Sequence, residues 1–214
     1  MMQSSDDSGY VISYMMLRKA TGIIGIALPV VLVAGKILLE SPGIQSSISS
    51  YYYTVMRDVF VGSLCAIAVF LMSYKGPGKN DDLAGNLACI FALGVALFPT
   101  EPALDPTPHE KLVGTVHYMF SAAFFSMLAY FCLGLFRRTS PDRKPTPRKL
   151  LRNKVYKICG YTIIFCIVMI GMVSQLSEGS PVKQLSPVFW FESLAIWAFG
   201  WSWFTKGEGI LKDL

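Results

Sequence analysis

Long apolar runs separated by short polar, Ser-rich and Pro-rich stretches set the organisation of this chain. The runs fall at about 21–39, 53–74, 83–98, 112–136, 155–175 and 187–205. Each is continuous rather than alternating, which predicts helices and argues against the period-two pattern of a transmembrane β-barrel. At 1.5 Å of rise per residue, segments of about 16–25 residues match a hydrocarbon core about 30 Å thick. The expected fold is therefore all-α, a polytopic membrane protein with a six-transmembrane-helix bundle over 21–206. Residues 1–20 read as an N-terminal cytoplasmic or interfacial segment and 207–214 as a C-terminal cytoplasmic tail. For the first of these, a short interfacial helix and a disordered start both stay open.

The runs differ in ways that carry structural expectations. The first ends in Lys36 and Glu40 rather than a small-residue cleavage site, so it reads as a retained span and not a signal peptide. Pro29 near its middle predicts a kink. In the third run Ala84, Ala88, Ala92 and Ala96 recur every four residues, a small-residue stripe that lets another helix approach closely. Trp190 at one end of the sixth run, and Trp201 and Trp203 at the other, fit interfacial anchoring. Tyr51, Tyr52 and Tyr53 sit at the edge of the second run as an interfacial belt or the roof of a pocket.

Composition agrees with the pattern. Of 214 residues, 53% are hydrophobic and 15% charged, with a mean hydropathy of +0.47, whereas a soluble domain carries about a quarter charged residues. The five cysteines are odd in number, lie in or beside apolar runs and form no CxxC pair, so they read as small buried hydrophobes. Charge then fixes an expected orientation. Fifteen basic residues fall in the N-terminal segment, the 75–82 and 137–157 loops and the C-terminal tail, against Lys111 and Lys183 in the opposite loops. By the positive-inside rule both termini are cytoplasmic and the loops at 41–54, 99–111 and 176–186 face outward. The basic 137–157 segment reads as the topogenic loop, kept extended by Pro141, Pro145 and Pro147. It lacks the interleaved aromatic residues of a nucleic-acid surface, so no nucleic-acid partner is expected.

Within that topology the ionisable residues of the runs fall at one level. Lys36 lies near the outer end of the first span, Arg57 and Asp58 about a turn inside the second, His117 in the fourth and Glu192 in the sixth. His117 is about five residues, or roughly 7–8 Å, below the outer end of its span. Intramembrane ionisable groups are costly, face inward and pair, so Lys36, Arg57, Asp58, His117 and Glu192 form a candidate ligand-binding set. Three readings stay open for it. The residues hold helices together without a ligand; or Arg57 and Lys36 grip an anionic headgroup with His117 and Glu192 as partners; or His117, Asp58, Glu192 and His109 bind a divalent metal that activates water. No HExxH motif, nucleophile elbow, P-loop or dinucleotide fingerprint occurs, so no metal or other cofactor is assigned. The Pro-rich acidic loop 99–110 reads as a lid over this level.

The run 96–100 (Ala-Leu-Phe-Pro-Thr), followed by His117 and 121–125 (Ser-Ala-Ala-Phe-Phe), resembles a pattern of six-span bacterial membrane proteins. The segments 52–62 and 189–192 resemble them too. These are similar in layout to the DRAM/Sfk-type superfamily of eukaryotic six-span proteins. The resemblance implies a six-helix bundle and a lipid-linked role, and transfers no catalytic residue. The expected function is an integral protein of the cell inner membrane whose outward-facing polar pocket binds or handles a membrane lipid or small amphiphile. A metal-dependent membrane hydrolase and a non-catalytic subunit of a membrane assembly, with a homo-oligomeric or membrane-protein partner, are the alternatives.

Overall fold

A computed structural model describes residues 4–76, 78–139, 144–177 and 179–211, with side chains from Tyr14 onward apart from Lys79. The described residues are helical, with no strand among them. α1 (Ser4–Leu39) leads through a 3-10 turn (Ser49–Tyr53) into α2 (Arg57–Met72), and α3 (Lys79–Leu97) follows. α4 (Pro108–Tyr130) runs on through one π turn (Phe131–Leu135). α5 (Pro147–Ser174), a short α6 (Pro181–Gln184) and α7 (Pro187–Lys206) complete the chain. Four helical stretches, at 14–39, 80–97, 108–135 and 147–174, are long and apolar enough to cross a membrane. α2 has 16 residues, and α7, at 20, is diluted by Glu192, Ser193 and Ser202.

The six long helices close into a ring. Each packs on its sequence neighbours from α1 to α5, α5 packs on α7, and α7 returns to α1. Large apolar side chains such as Ile23, Val30, Ile158, Phe165 and Val168 point away from it and are exposed, which is the arrangement of a protein whose outer surface faces lipid rather than water. The alanine stripe of α3 is wholly buried. A second close approach comes from glycine: a Cβ on Gly22 would meet Phe204 N at 2.6 Å and Gly200 O at 2.7 Å, so α1 and α7 touch backbone to backbone. α1 runs without interruption through Pro29. The ring of Pro29 removes the helical donor for the Gly25 carbonyl, and Trp197 Nε1 of α7 donates to the adjacent Ile26 O at 3.0 Å. A neighbouring helix thus supplies a hydrogen bond at the disturbed turn.

Several sequence expectations change in the folded chain. The N-terminal segment, from Ser4, is neither separate nor irregular but the first turns of α1. Trp203 is no interfacial anchor. It is 1% exposed, at the centre of an aromatic cluster with Tyr74, Phe131 and Phe136, whereas Trp190 and Trp201 are 52% and 47% exposed. Of the three tyrosines, Tyr51 is buried against Phe189 and only Tyr53 is well exposed. Cys89, Cys132, Cys159 and Cys166 are buried free thiols and Cys65 is half-buried.

Candidate functional site

At the end of the ring that carries the 40–56 and 98–107 loops, loops meet helix ends, and there the ionisable residues singled out from the sequence find their partners. Lys36, in the last turn of α1, is buried and donates Nζ to Ser41 O at 3.1 Å and Ser41 Oγ at 3.0 Å. It ties the end of α1 to the chain that leaves it, and its cation meets the negative end of the helix dipole. Arg57 and Asp58 do not lie a turn inside a span. The apolar residues before them form the 3-10 turn and α2 begins at Arg57, so both sit at the helix N-terminus and are exposed. Arg57 Nε donates to Tyr52 O at 2.7 Å and its guanidinium lies 4.6 Å above the Tyr52 ring. Asp58 occupies the first turn of α2, where a carboxylate is favoured by the helix dipole.

His117 and Glu192 are buried, and each addresses backbone rather than another ionisable group. His117 Nδ1 is 2.7 Å from Phe98 O at the C-cap of α3, with the Val95 carbonyl near the ring. The imidazole therefore fastens α4 to a carbonyl that the end of α3 leaves open. Glu192 Oε2 accepts from Ile48 N at 2.6 Å, with the Ser49 N–H close by. With Phe189 N donating to Ser46 O at 3.0 Å, α7 holds the whole 44–53 segment against the ring. Tyr53 Oη then donates to Thr100 O at 2.6 Å, and Thr100 Oγ1 to Tyr118 Oη at 3.2 Å, which joins this segment to the Pro-rich loop. Buried under it, the Tyr51 phenol is pushed up from its ordinary value by desolvation.

Beneath these loops lies a narrow cavity of about 30 Å³ among α1, α2, α4 and α7. Its walls are apolar, with Leu28, Phe60, Leu64 and Phe124 among them, and its polar groups are Glu192, Ser49 and Ser121. The Ser121 hydroxyl is buried without a hydrogen-bond partner. Of the five residues the sequence singles out, Glu192 alone lines this space; Lys36, Arg57, Asp58 and His117 are turned to the partners named above. Ser121 was legible only as part of an apolar helix, since a lone serine there carries no ionisable signal. His109 is not in a loop but in the exposed first turn of α4. Thr107 and Glu110 form a capping box, Glu110 N donating to Thr107 Oγ1 at 3.2 Å and Thr107 N to Glu110 Oε2 at 2.8 Å. That T-x-x-E spacing is the sequence signal that starts α4 at Pro108. Among the described residues no group of three His, Cys, Asp or Glu side chains is placed to hold a metal ion. Set against protein-family models, curated proteins and solved structures, the chain matches none of them.

Proposed function

We propose that this chain is a six-span protein of the cell inner membrane, both termini cytoplasmic, that binds or handles a lipid or small amphiphile in the outer-half cavity. The observation that carries the reading is the cavity itself: apolar walls, the Glu192 carboxyl at its rim, and a buried Ser121 hydroxyl with no partner. Apolar cavities of this kind stay dry and take apolar guests, while a buried hydroxyl without a partner costs about 1–3 kcal/mol until something bonds it. An amphiphile answers both needs, its chain end against the apolar walls and a polar atom on Ser121. At about 30 Å³ the space holds a methyl-sized group, so a longer chain enters by displacing the lining Phe124 and Phe125 side chains. The ring closed by α7 on α1 supports counting α2 and α7 as spans beside the four longer ones. The basic-residue bias supports the orientation, and the DRAM/Sfk-type layout agrees with a lipid-linked role.

Native mass spectrometry of the protein released from mild detergent tests the ligand. Wild type is expected to retain a lipid or amphiphile, and Ser121→Leu, which fills the cavity, to lose it without a fall in melting temperature. Absence of any retained molecule, or equal retention by the variant, would sink the reading. Orientation is read from an impermeant maleimide on a cysteine-free chain: Leu104→Cys labels on intact cells and Thr139→Cys only after permeabilisation.

A further inference from the structure

The cavity is closed toward the loops and thin-walled at one side. Ile48 and Ser49, its lining residues from the 44–53 segment, are 2% and 7% exposed, and the lining residues of α1, α2 and α3 are buried as well. Those that are only half-buried are Ser121 and Phe125 of α4 and Ile196 of α7. In the ring α4 and α7 stand on either side of α5, and no described residue of α5 lines the cavity. α4 is fastened to these two neighbours farther along, in its π turn. There Cys132 Sγ donates to Ser202 Oγ of α7 at 3.2 Å, and a Cβ on Gly160 of α5 would meet Cys132 Cβ at 3.1 Å. The partly open wall of the cavity is therefore the one between α4 and α7.

That wall lies at mid-height of the ring. Counted at 1.5 Å per residue from Pro108 of α4 and Pro187 of α7, Ser121, Phe125 and Ile196 lie roughly 14–26 Å from the loop-side helix ends. A bilayer core is about 30 Å thick, so a molecule crossing this wall comes from hydrocarbon and not from water. α5 beside it exposes Ile164, Phe165 and Val168, a surface that suits hydrocarbon. Charge narrows the guest further. Among the described residues no cation lines the cavity, and the one acid there, Glu192, is engaged by Ile48 N. A phosphate or carboxylate head would meet no counter-charge, and any charged head would have to cross hydrocarbon to arrive. A neutral oxygen meets the Ser121 hydroxyl, buried and without a partner.

We infer that the ligand of this cavity is an uncharged lipid dissolved in the bilayer, a long-chain alcohol or carbonyl compound, which enters sideways between α4 and α7 and hydrogen-bonds Ser121. The inference rests on the function proposed above and narrows its ligand. The Ser121 hydroxyl can donate to a carbonyl oxygen or exchange a hydrogen bond with an alcohol. The oxygen-bearing end of the molecule takes the small space, and its chain trails past Phe125 and Ile196 into the hydrocarbon. Phe125, already half-buried, is the side chain that yields.

The full chain in phosphatidylcholine vesicles is irradiated with a long-chain alcohol that carries a diazirine a few carbons from its hydroxyl, and the labelled residues are read by peptide mass spectrometry. Saturable labelling at Phe125 and Ile196, displaced by unlabelled hexadecanol, is expected. Ser121→Ala leaves the walls in place, folds as wild type and weakens the labelling about three- to tenfold, the worth of one hydrogen bond. Stronger displacement by phosphatidic acid or by a long-chain amine overturns the uncharged class, and labelling confined to 44–53 overturns entry at the side. Either result leaves the cavity a lipid site, so the function proposed above survives it. Labelling that does not saturate, or that ignores Ser121→Ala, overturns the inference alone where native mass spectrometry still finds a retained lipid, and both readings where it finds none.

Discussion

Replacing Glu192 tests how the 44–53 segment is held on the end of the ring. Its carboxyl accepts the N–H of Ile48 at 2.6 Å, with the Ser49 N–H close by, where the 3-10 turn opens and no helical acceptor exists. Both residues are buried. Glu192→Leu therefore leaves the Ile48 donor without its partner, at about 1–3 kcal/mol. Polar contacts cut inside membrane bundles cost less, ~0.6 kcal/mol on average, because the freed groups find other partners. Here the freed segment is a loop that can lift into water, so the low end, about 1 kcal/mol, is expected. At roughly 2–4 °C per kcal/mol for a chain of this size, the melting temperature in detergent falls by about 2–4 °C. Glu192→Gln keeps a side-chain oxygen for Ile48 N and falls by about half as much. Hydrogen exchange localises the effect: Ile48 and Ser49 amides lose protection while those of α5 do not. A Leu variant that melts with wild type and keeps Ile48 protected would refute the tether.

Three further outcomes follow from the same geometry. Gly200→Leu puts a Cβ 2.7 Å from Gly22 O and 2.9 Å from Ile26 N, an overpacking that costs about 1–3 kcal/mol or more, whereas Gly171→Ala, with open space around it, gains up to about 1 kcal/mol of helix propensity; parallel thermal melts compare them. His117→Phe keeps the ring volume but removes the bond to Phe98 O, and is expected to cost about 1–2 kcal/mol, with faster proteolysis confined to the 99–107 loop. Arg138→Gln leaves the buried Asp81 carboxylate with Gly78 N as its remaining partner at Oδ2. Because Arg138 is itself 42% exposed, the loss is about 1–2 kcal/mol rather than the 3–5 kcal/mol of a fully buried pair, read from denaturant midpoints.

The helices were legible because each long apolar run has few ways to satisfy its backbone, and the alanine stripe announced its own burial. The ring's closure was not. It rests on Gly22, Gly25 and Gly200, which are spaced on two helices at opposite ends of the chain and acquire meaning only when those helices cross. Trp203 misled for a related reason: a tryptophan near a helix end looks like an anchor until the π turn of α4 brings Phe131 and Phe136 against it. At the candidate site the depth argument identified buried groups in Lys36, His117 and Glu192. It failed for Arg57 and Asp58, because apolar residues 53–56 were taken as helix when they belong to a turn and its exit.

Depth alone also misjudged what the buried groups were for. In hydrocarbon, loops and helix ends are tolerated only where every carbonyl and N–H has a partner. Lys36 serves the Ser41 carbonyl, His117 the carbonyl of Phe98, and Glu192 the N–H of Ile48. Each is satisfied by backbone, and none needs a ligand to be stable. Among the described residues seven buried polar atoms have no hydrogen-bond partner, Tyr51 Oη, Ser193 Oγ and Trp203 Nε1 among them, and only those of Ser121 and Arg18 belong to residues that line a cavity. In this chain, then, neither an ionisable residue at membrane depth nor an unpaired polar atom marks a binding site by itself; the sign is an unpaired atom that also borders a cavity, as Ser121 does.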